Sequence, residues 1–281
     1  MDASETGTTP ESDTAGLSPQ SSVLDTRSSL SSQSPVLSAF TSPPAPGWLN
    51  MARDQAMLDR AEAEGGLLLR LYRWDPPCLS FGRNESALRR YDRESIERLG
   101  LDVVRRPTGG RAVWHENEVT YAVAGRVNQF GALSAAYCEI HQFLAAALRR
   151  LGAEVTLAGK TPVPGFSPGG CFSAPVGGEI MYGNRKLVGS AQLRQGDAFL
   201  QHGSILIGGT QEIVTRVSRV PALEGSESSL REALGRTVSF EEVADAIMEE
   251  SGAAPIETEW LGRAASPHVE HFRSPEWTWR R

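Results

Sequence analysis

Cys171 lies in the Pro/Gly-rich stretch TPVPGFSPGGCF (161–172), and Lys186 follows in RKLVGSAQ (185–192). A thiol in such a loop is open to a substrate. The nucleophile is the thiolate, which a neighbouring ammonium stabilises, so the two residues together can supply covalent catalysis. Read alone, Cys171 stays open between nucleophile and packing thiol, the commoner use of cysteine. Cys78 beside an apolar run and Cys138 inside a helical pattern read as inert packing. Three cysteines with no CxxC pair give neither a disulfide scaffold nor a structural zinc site. Of 28 lysines and arginines only Lys160 and Lys186 are lysines. A lysine kept in such a background hints at a place where guanidinium cannot replace ammonium.

A second constellation is Arg105-Arg106-Pro107-Thr108-Gly109-Gly110-Arg111-Ala112-Val113, set between the apolar runs LDVV and AVW. Its predicted geometry is strand, tight loop, strand. The glycines permit close backbone approach to a ligand, and arginines at the loop mouth can hold phosphate or carboxylate. No Walker or GxGxxG spacing is present, and composition alone favours a surface hairpin with solvated charges. His115 and Glu118 are three apart but follow a strand, so both can touch one site without forming a helical metal pair. His202 sits within a strand in Gln201-His202-Gly203-Ser204. Each histidine reads first as a hydrogen-bonded structural residue, and no metal site is predicted.

These residues need elements to hold them. Asn50 is expected to cap a helix over 51–62, ended by Gly65 and Gly66, before a strand in LLLRLYRW and another over 79–82. From Ser134, Tyr137, Ile140, Leu144, Leu148 and Leu151 recur at helical spacing, with Gly152 as the stop. EIMY and RKLV flank Gly183-Asn184 as a hairpin, and SAQLR and FLQHGSILI flank Gln195-Gly196-Asp197 as another. Ser239 and Glu242 form a capping box for a late helix ending at Gly252. Hairpins with interspersed helices and no βαβ rhythm predict an α+β domain on a mixed or antiparallel sheet.

The chain has 281 residues, 40% hydrophobic and 22% charged, with net charge -6. At roughly 100 to 200 residues per domain, one catalytic-size domain over 47–281 is expected after a disordered Ser/Thr/Pro-rich tail over 1–46. A pI near 5.5 argues against nucleic acid as a partner. No apolar run approaches the roughly 18 residues that span a bilayer, and the N-terminus is acidic where a signal peptide is basic. The expectation is a cytoplasmic protein with no membrane partner.

Six ordered segments carry a family resemblance: WLNMARDQAM, LYRWDPPCLSFGR, RRPTGGRAVWHENEVTYAV, CFSAPVGGEI, RKLVGSAQLR and LQHGSILIG. Together they resemble the lipoate-protein ligase and octanoyltransferase family, which shares the biotin/lipoate ligase catalytic fold. GGRAV before HENEVTY, CF before EI, and GSAQ with LQHGS are most similar to its LipM-type octanoyltransferases. Ligases of the family more typically show GGGxVxHD, lack the CF cysteine and carry a larger C-terminal domain, for which residues 222–281 look too few.

The resemblance implies a two-step transfer without nucleotide or other cofactor. Cys171 would take octanoyl from octanoyl-acyl carrier protein as a thioester. A lysine of a lipoyl domain, on glycine cleavage H protein or an E2 subunit, would then receive it. Lys186 would lower the thiol pKa and hold the acyl carbonyl. Arg106, Thr108, Gly109, Gly110 and Arg111, with His115 beside them and Gly189, Ser190 and Ala191 further on, would bind substrate. PVGGEI departs from the family in its glycines, as does the long N-terminal segment. Alternatives are an ATP-dependent lipoate or octanoate ligase, an amidotransferase between lipoyl domains, and a non-catalytic binder of such domains.

Overall fold

A computed structural model describes residues 37–159, 178–220 and 227–280. Cys171 and Lys160 lie outside the described residues. The chain begins with β1 (Leu37–Thr41), α1 (Gly47–Glu64), β2 (Leu67–Tyr72) and β3 (Cys78–Phe81), then the short helices α2 (Ala87–Arg90) and α3 (Arg93–Arg98). Strands β4 (Asp102–Arg105), β5 (Val113–His115) and β6 (Glu118–Arg126) precede α4 (Leu133–Arg150). After it come β7 (Thr156–Leu157), β8 (Ile180–Tyr182), β9 (Arg185–Lys186), β10 (Val188–Gln195) and β11 (Ala198–Leu206). Helices α5 (Glu212–Val217), α6 (Leu230–Leu234) and α7 (Phe240–Ser251), strand β12 (Ala254–Pro255), and helices α8 (Glu259–Arg273) and α9 (Pro275–Thr278) follow.

The described residues form a central sheet ordered β10-β11-β6-β2-β1-β12. β1 runs parallel to β2 and β12, while β6 is antiparallel to β2 and β11, and β10 to β11, so the sheet is mixed. Alternation along each strand sends successive side chains to opposite faces. Leu67, Leu69, Leu71, Val119, Tyr121, Val123, Phe199 and Ile205 pack with Ile140, Leu144 and Leu148 of α4 and Val243 and Ile247 of α7. Leu68, Tyr72, Ala122, Ala124, Ala198 and Leu200 pack with Met57 and Leu58 of α1 and Leu261 of α8. β2 is therefore buried on both faces, and every residue of it except Arg70 is apolar or aromatic. Each leucine fully removed from water there contributes about 2 kcal/mol.

α4 and both predicted hairpins form where the periodicity and turn residues place them, with Gly183 and Gly196 at positive φ in the turns. At α7 the Ser239 side chain accepts from the Glu242 N–H, but the Glu242 carboxylate turns to Arg236, so half of the capping box forms. α1 starts at Gly47, and Asn50 lies inside it: its amide donates to the carbonyls of Ala45 and Arg73, which caps no helix but ties the residues before α1 to those that follow β2.

The tail assignment needs correction. Residues 37–41 form a strand inside the central sheet, with Ala39 and Phe40 buried. LSAFT is too short to announce itself by pattern, and its stability comes from parallel neighbours distant in sequence. The rest of that segment, 1–36, lies outside the described residues.

A second sheet, β4-β3-β5, packs its apolar face with Ile96 of α3 and Val214 and Val217 of α5. β3 lies between β4 and β5, so the Gly-Arg loop is no hairpin turn: it crosses the end of the strand between its arms.

Candidate active site

The loop over 106–112 is fastened by its own arginines. Arg105, at the end of β4, is buried and donates to the carbonyls of Gly82, Arg83, Glu85, Trp277, Thr278 and Arg280. Burial, then the charge of Arg280, pushes its guanidinium down to about 10. Arg105 ties the loop to the α9 end of the chain and stands away from the loop mouth where the sequence placed it. Arg106 donates to Ser80 O at 3.0 Å, Gly109 O at 3.1 Å and Arg111 O at 2.8 Å, so its fork clasps the loop backbone while lining a pocket. Gly110 adopts φ +93°, and a Cβ on Gly82 would overlap its carbonyl oxygen. The close approach expected of the glycines is made to β3.

Beneath the loop, on the α1 face of the sheet, two hydroxyl-imidazole-carboxylate chains are buried. Thr108 Oγ1 meets His202 Nε2 at 2.5 Å, and His202 Nδ1 meets Asp54 Oδ2 at 2.9 Å. Asp54 also accepts from Arg70 and Tyr72, each at 2.8 Å. A carboxylate only accepts, so His202 carries its proton on Nδ1 and takes the Thr108 hydroxyl proton at Nε2. Burial pushes the His202 pKa down, against the pull of Asp54. In the same way Ser80 Oγ meets His115 Nε2 at 2.6 Å, and His115 Nδ1 meets Glu118 Oε1 at 2.7 Å. Burial favours a protonated Glu118. The facing His115 and hydrogen bonds from His115, Ser204 and Thr120 outweigh it and hold the carboxyl below its usual range. The Trp74 ring stacks on His115 at 4.0 Å and donates to Thr120.

A pocket partly open to solvent takes in Arg106, His115, Gly189, Ser190 and Ala191 from the predicted set. Trp74, Thr120, His202 and Ser204 line it as well. Thr108 reaches it through His202.

The α4 face of the same sheet holds a different cluster. Lys186 Nζ donates to Glu179 Oε1 at 2.7 Å, both side chains 3% exposed. His141 of α4 meets the Gly178 carbonyl through Nδ1 at 2.7 Å and Ser190 Oγ through Nε2 at 2.8 Å. Burial, then the charge of Lys186, pushes His141 down to about 4, partly opposed by the Gly178 bond. Tyr121 and Gln201 complete the group.

Cys78 is buried, and burial followed by the charge of Asp102 pushes its thiol well up, which removes its reactivity. Cys138 is half-buried beside Gly178, where an added Cβ would lie 3.5 Å from its sulfur. Asp54, Ser80, Trp74, Thr120, His141, Glu179 and Ser204 escaped the sequence reading. Alternation along EVTYAV and LQHGS carried a signal for Thr120 and Ser204, while nothing local marks Asp54 or His141. Among the described residues no group of three or more His, Cys, Asp or Glu side chains can hold a metal, and no helix is long and apolar enough to cross a membrane.

Residues 46–252 match the model of the lipoyl protein ligase A/B catalytic domain. Octanoyltransferase LipM of Moorella thermoacetica is 38% identical over 202 residues, 70% of this chain and 74% of that protein. Octanoyltransferase LipM of Kyrpidia tusciae is 36% identical over 258 residues, 83% of this chain and 94% of its own. Among solved structures, a lipoate-protein ligase A bound with ATP superposes with a TM-score of 0.72 at 21% identity, covering 87% of this chain and 98% of that one. A bi-partite archaeal lipoate protein ligase from Thermoplasma acidophilum gives 0.64 at 18% identity, covering 87% of this chain and 96% of that one. These two likenesses establish the biotin/lipoate ligase-like fold.

Proposed function

The chain belongs to the lipoyl protein ligase A/B catalytic-domain family and, within it, to the LipM-type octanoyltransferases, and from that premise we propose that it carries octanoyl from acyl carrier protein to a lipoyl-domain lysine. It is an acyltransferase of lipoate biosynthesis. The observation that carries the reading is likeness to octanoyltransferases over 74% and 94% of their own length. Cys171, in the position the resemblance gives to the nucleophile, attacks the carrier thioester and holds octanoyl as an enzyme thioester. The acceptor amine then attacks that thioester, forming an amide and releasing the thiolate. Thioester exchange is close to balanced and amide formation runs downhill, so neither step calls for a nucleotide.

Lys186 supplies positive charge to the thiolate and to the oxygen on which charge develops. Its pairing with Glu179 sets the direction of the ammonium and keeps that charge from standing alone in a buried place. The Gly-Arg loop, locked by Arg106 and by the Thr108-His202-Asp54 chain, forms a rigid wall of the pocket in which substrate binds. Acceptors of the expected class are glycine cleavage H protein and E2 subunits.

The test is intact-mass analysis of the full chain after incubation with octanoyl-acyl carrier protein without nucleotide. One added octanoyl group is expected. An adduct that forms only with ATP and free octanoate overturns the reading in favour of a ligase.

A further inference from the structure

Among the described residues three serine or threonine hydroxyls meet a histidine Nε2: Ser80 on His115, Thr108 on His202 and Ser190 on His141. The first two hydroxyls are completely buried and spent on holding the loop. Ser190 is half-buried on β10, an edge strand of the central sheet, and belongs to the pocket lining.

The direction of every hydrogen bond around Ser190 can be assigned. A carbonyl oxygen only accepts, so the contact with Gly178 O places the proton of His141 on Nδ1. His141 is neutral, since burial and then Lys186 hold its pKa near 4, so its Nε2 accepts. At the other end Gln192 Nε2 donates to Leu133 O and to Gln201 Oε1, which turns the Gln201 amide nitrogen toward the Tyr121 phenol. Tyr121 then gives its single proton to Ser190 Oγ at 2.7 Å, in preference to His141 Nε2 at 3.2 Å. Ser190 gives its own proton to His141. One lone pair of Oγ is left, and among the described residues no other polar group bonds it. Gly203 opposite gives the hydroxyl its room: a Cβ there would lie 2.5 Å from Ser190 Oγ.

Ser190 therefore presents an oxygen that accepts and does not donate. Such an atom binds an N–H group and turns away a phosphate or carboxylate, which would leave two acceptors facing each other. We propose that Ser190 accepts a hydrogen bond from the attacking amine of the acceptor lysine, and that His141 is the positioning residue that fixes this polarity. The inference rests on the transferase reading and gives its second step a recognition element. The amine nitrogen, oriented by Ser190, forms the new C–N bond while the C–S bond breaks, and its surplus proton leaves to the departing thiolate.

The two half-reactions of the full chain separate the possibilities. Octanoylation by the carrier thioester and, in single turnover, transfer from pre-charged enzyme to a lipoyl domain are timed for wild type, Ser190→Ala, His141→Asn and His141→Gln. Asparagine can keep the Gly178 bond but offers nothing to Ser190. Glutamine can present an oxygen to the Ser190 proton. Ser190→Ala and His141→Asn are expected to slow the amine step at least about tenfold more than the acylation step, with His141→Gln recovering to within about threefold of wild type. Equal slowing of both steps, or a glutamine variant as slow as asparagine, overturns the inference. Wild-type enzyme that never acquires octanoyl from the carrier overturns the transferase reading, and this inference with it. Should His141→Asn fail to fold, Ser190→Ala still decides the split between the steps.

Discussion

The two faces of one sheet carry two polar clusters that differ in what they leave over. On the α1 face, Asp54, Arg70, Tyr72, His202 and Thr108 form a closed set in which the carboxylate meets three donors and both imidazole nitrogens are engaged. On the α4 face, Lys186, Glu179, His141, Tyr121 and Ser190 end on a half-buried hydroxyl at the sheet edge. A closed network in low dielectric gives rigidity, and breaking it leaves an unpaired charge. An open one keeps an atom for a substrate. By this difference the α1 face holds the loop in place, and the proposed amine step falls to the α4 face.

Asp54→Ala is the hardest blow to the closed set, because inside the protein Arg70 loses its counter-charge and the His202 Nδ1–H its acceptor. A loss of about 3–5 kcal/mol in chemical unfolding is expected, with any activity remaining in proportion to folded enzyme. A loss of activity at unchanged stability would place the chemistry on the α1 face and break the comparison. Lys186→Arg addresses the other face. A guanidinium does not fit the buried ammonium site against Glu179 and cannot act as a compact charge, so transfer should drop on the order of 100-fold. Near-normal turnover would remove Lys186 from the mechanism.

Acid sharpens the contrast further. His141 is held near 4 in the folded protein against an ordinary value of 6.5, so the unfolded chain takes up the proton first. The stability it lends is complete above about pH 6.5 and is lost as pH falls toward 4, on the order of 2 kcal/mol between pH 7 and pH 5. His141→Gln should flatten that part of the stability profile in urea titrations at several pH values. An unchanged slope would mean that His141 titrates normally.

Much of this arrangement was legible because it is local. LLLRLY announces a strand, Gly183-Asn184 and Gln195-Gly196-Asp197 announce their hairpins, and the spacing from Tyr137 to Leu151 announces α4. The Gly-Arg loop was found, but the partners that fix it were not. Asp54 meets His202 across 148 positions, and Arg105 reaches carbonyls more than 170 positions away, so no short pattern contains either contact. α8 carries an internal Pro267, which masks its helical period. β1 is five residues long and held by parallel neighbours, which is how it came to be read as tail. It supplies the smallest of the expected effects and its control. Removing residues 1–34 should leave melting temperature and turnover nearly unchanged, as their composition suggests. Removing 1–46 takes β1 from the sheet and should lower the melting temperature, and equal behaviour of the two truncations would contradict the place given to β1.

The central claim is that Cys171 carries the acyl group on the way to the acceptor. Peptide mapping of enzyme charged by octanoyl-acyl carrier protein, run beside Cys171→Ser, Cys78→Ser and Cys138→Ser, tests it directly. The account predicts a thioester on the peptide containing Cys171, lost in Cys171→Ser alone and discharged when a lipoyl domain is added. Octanoyl on Cys78 or Cys138, or on Cys171 but never passed on, would contradict it.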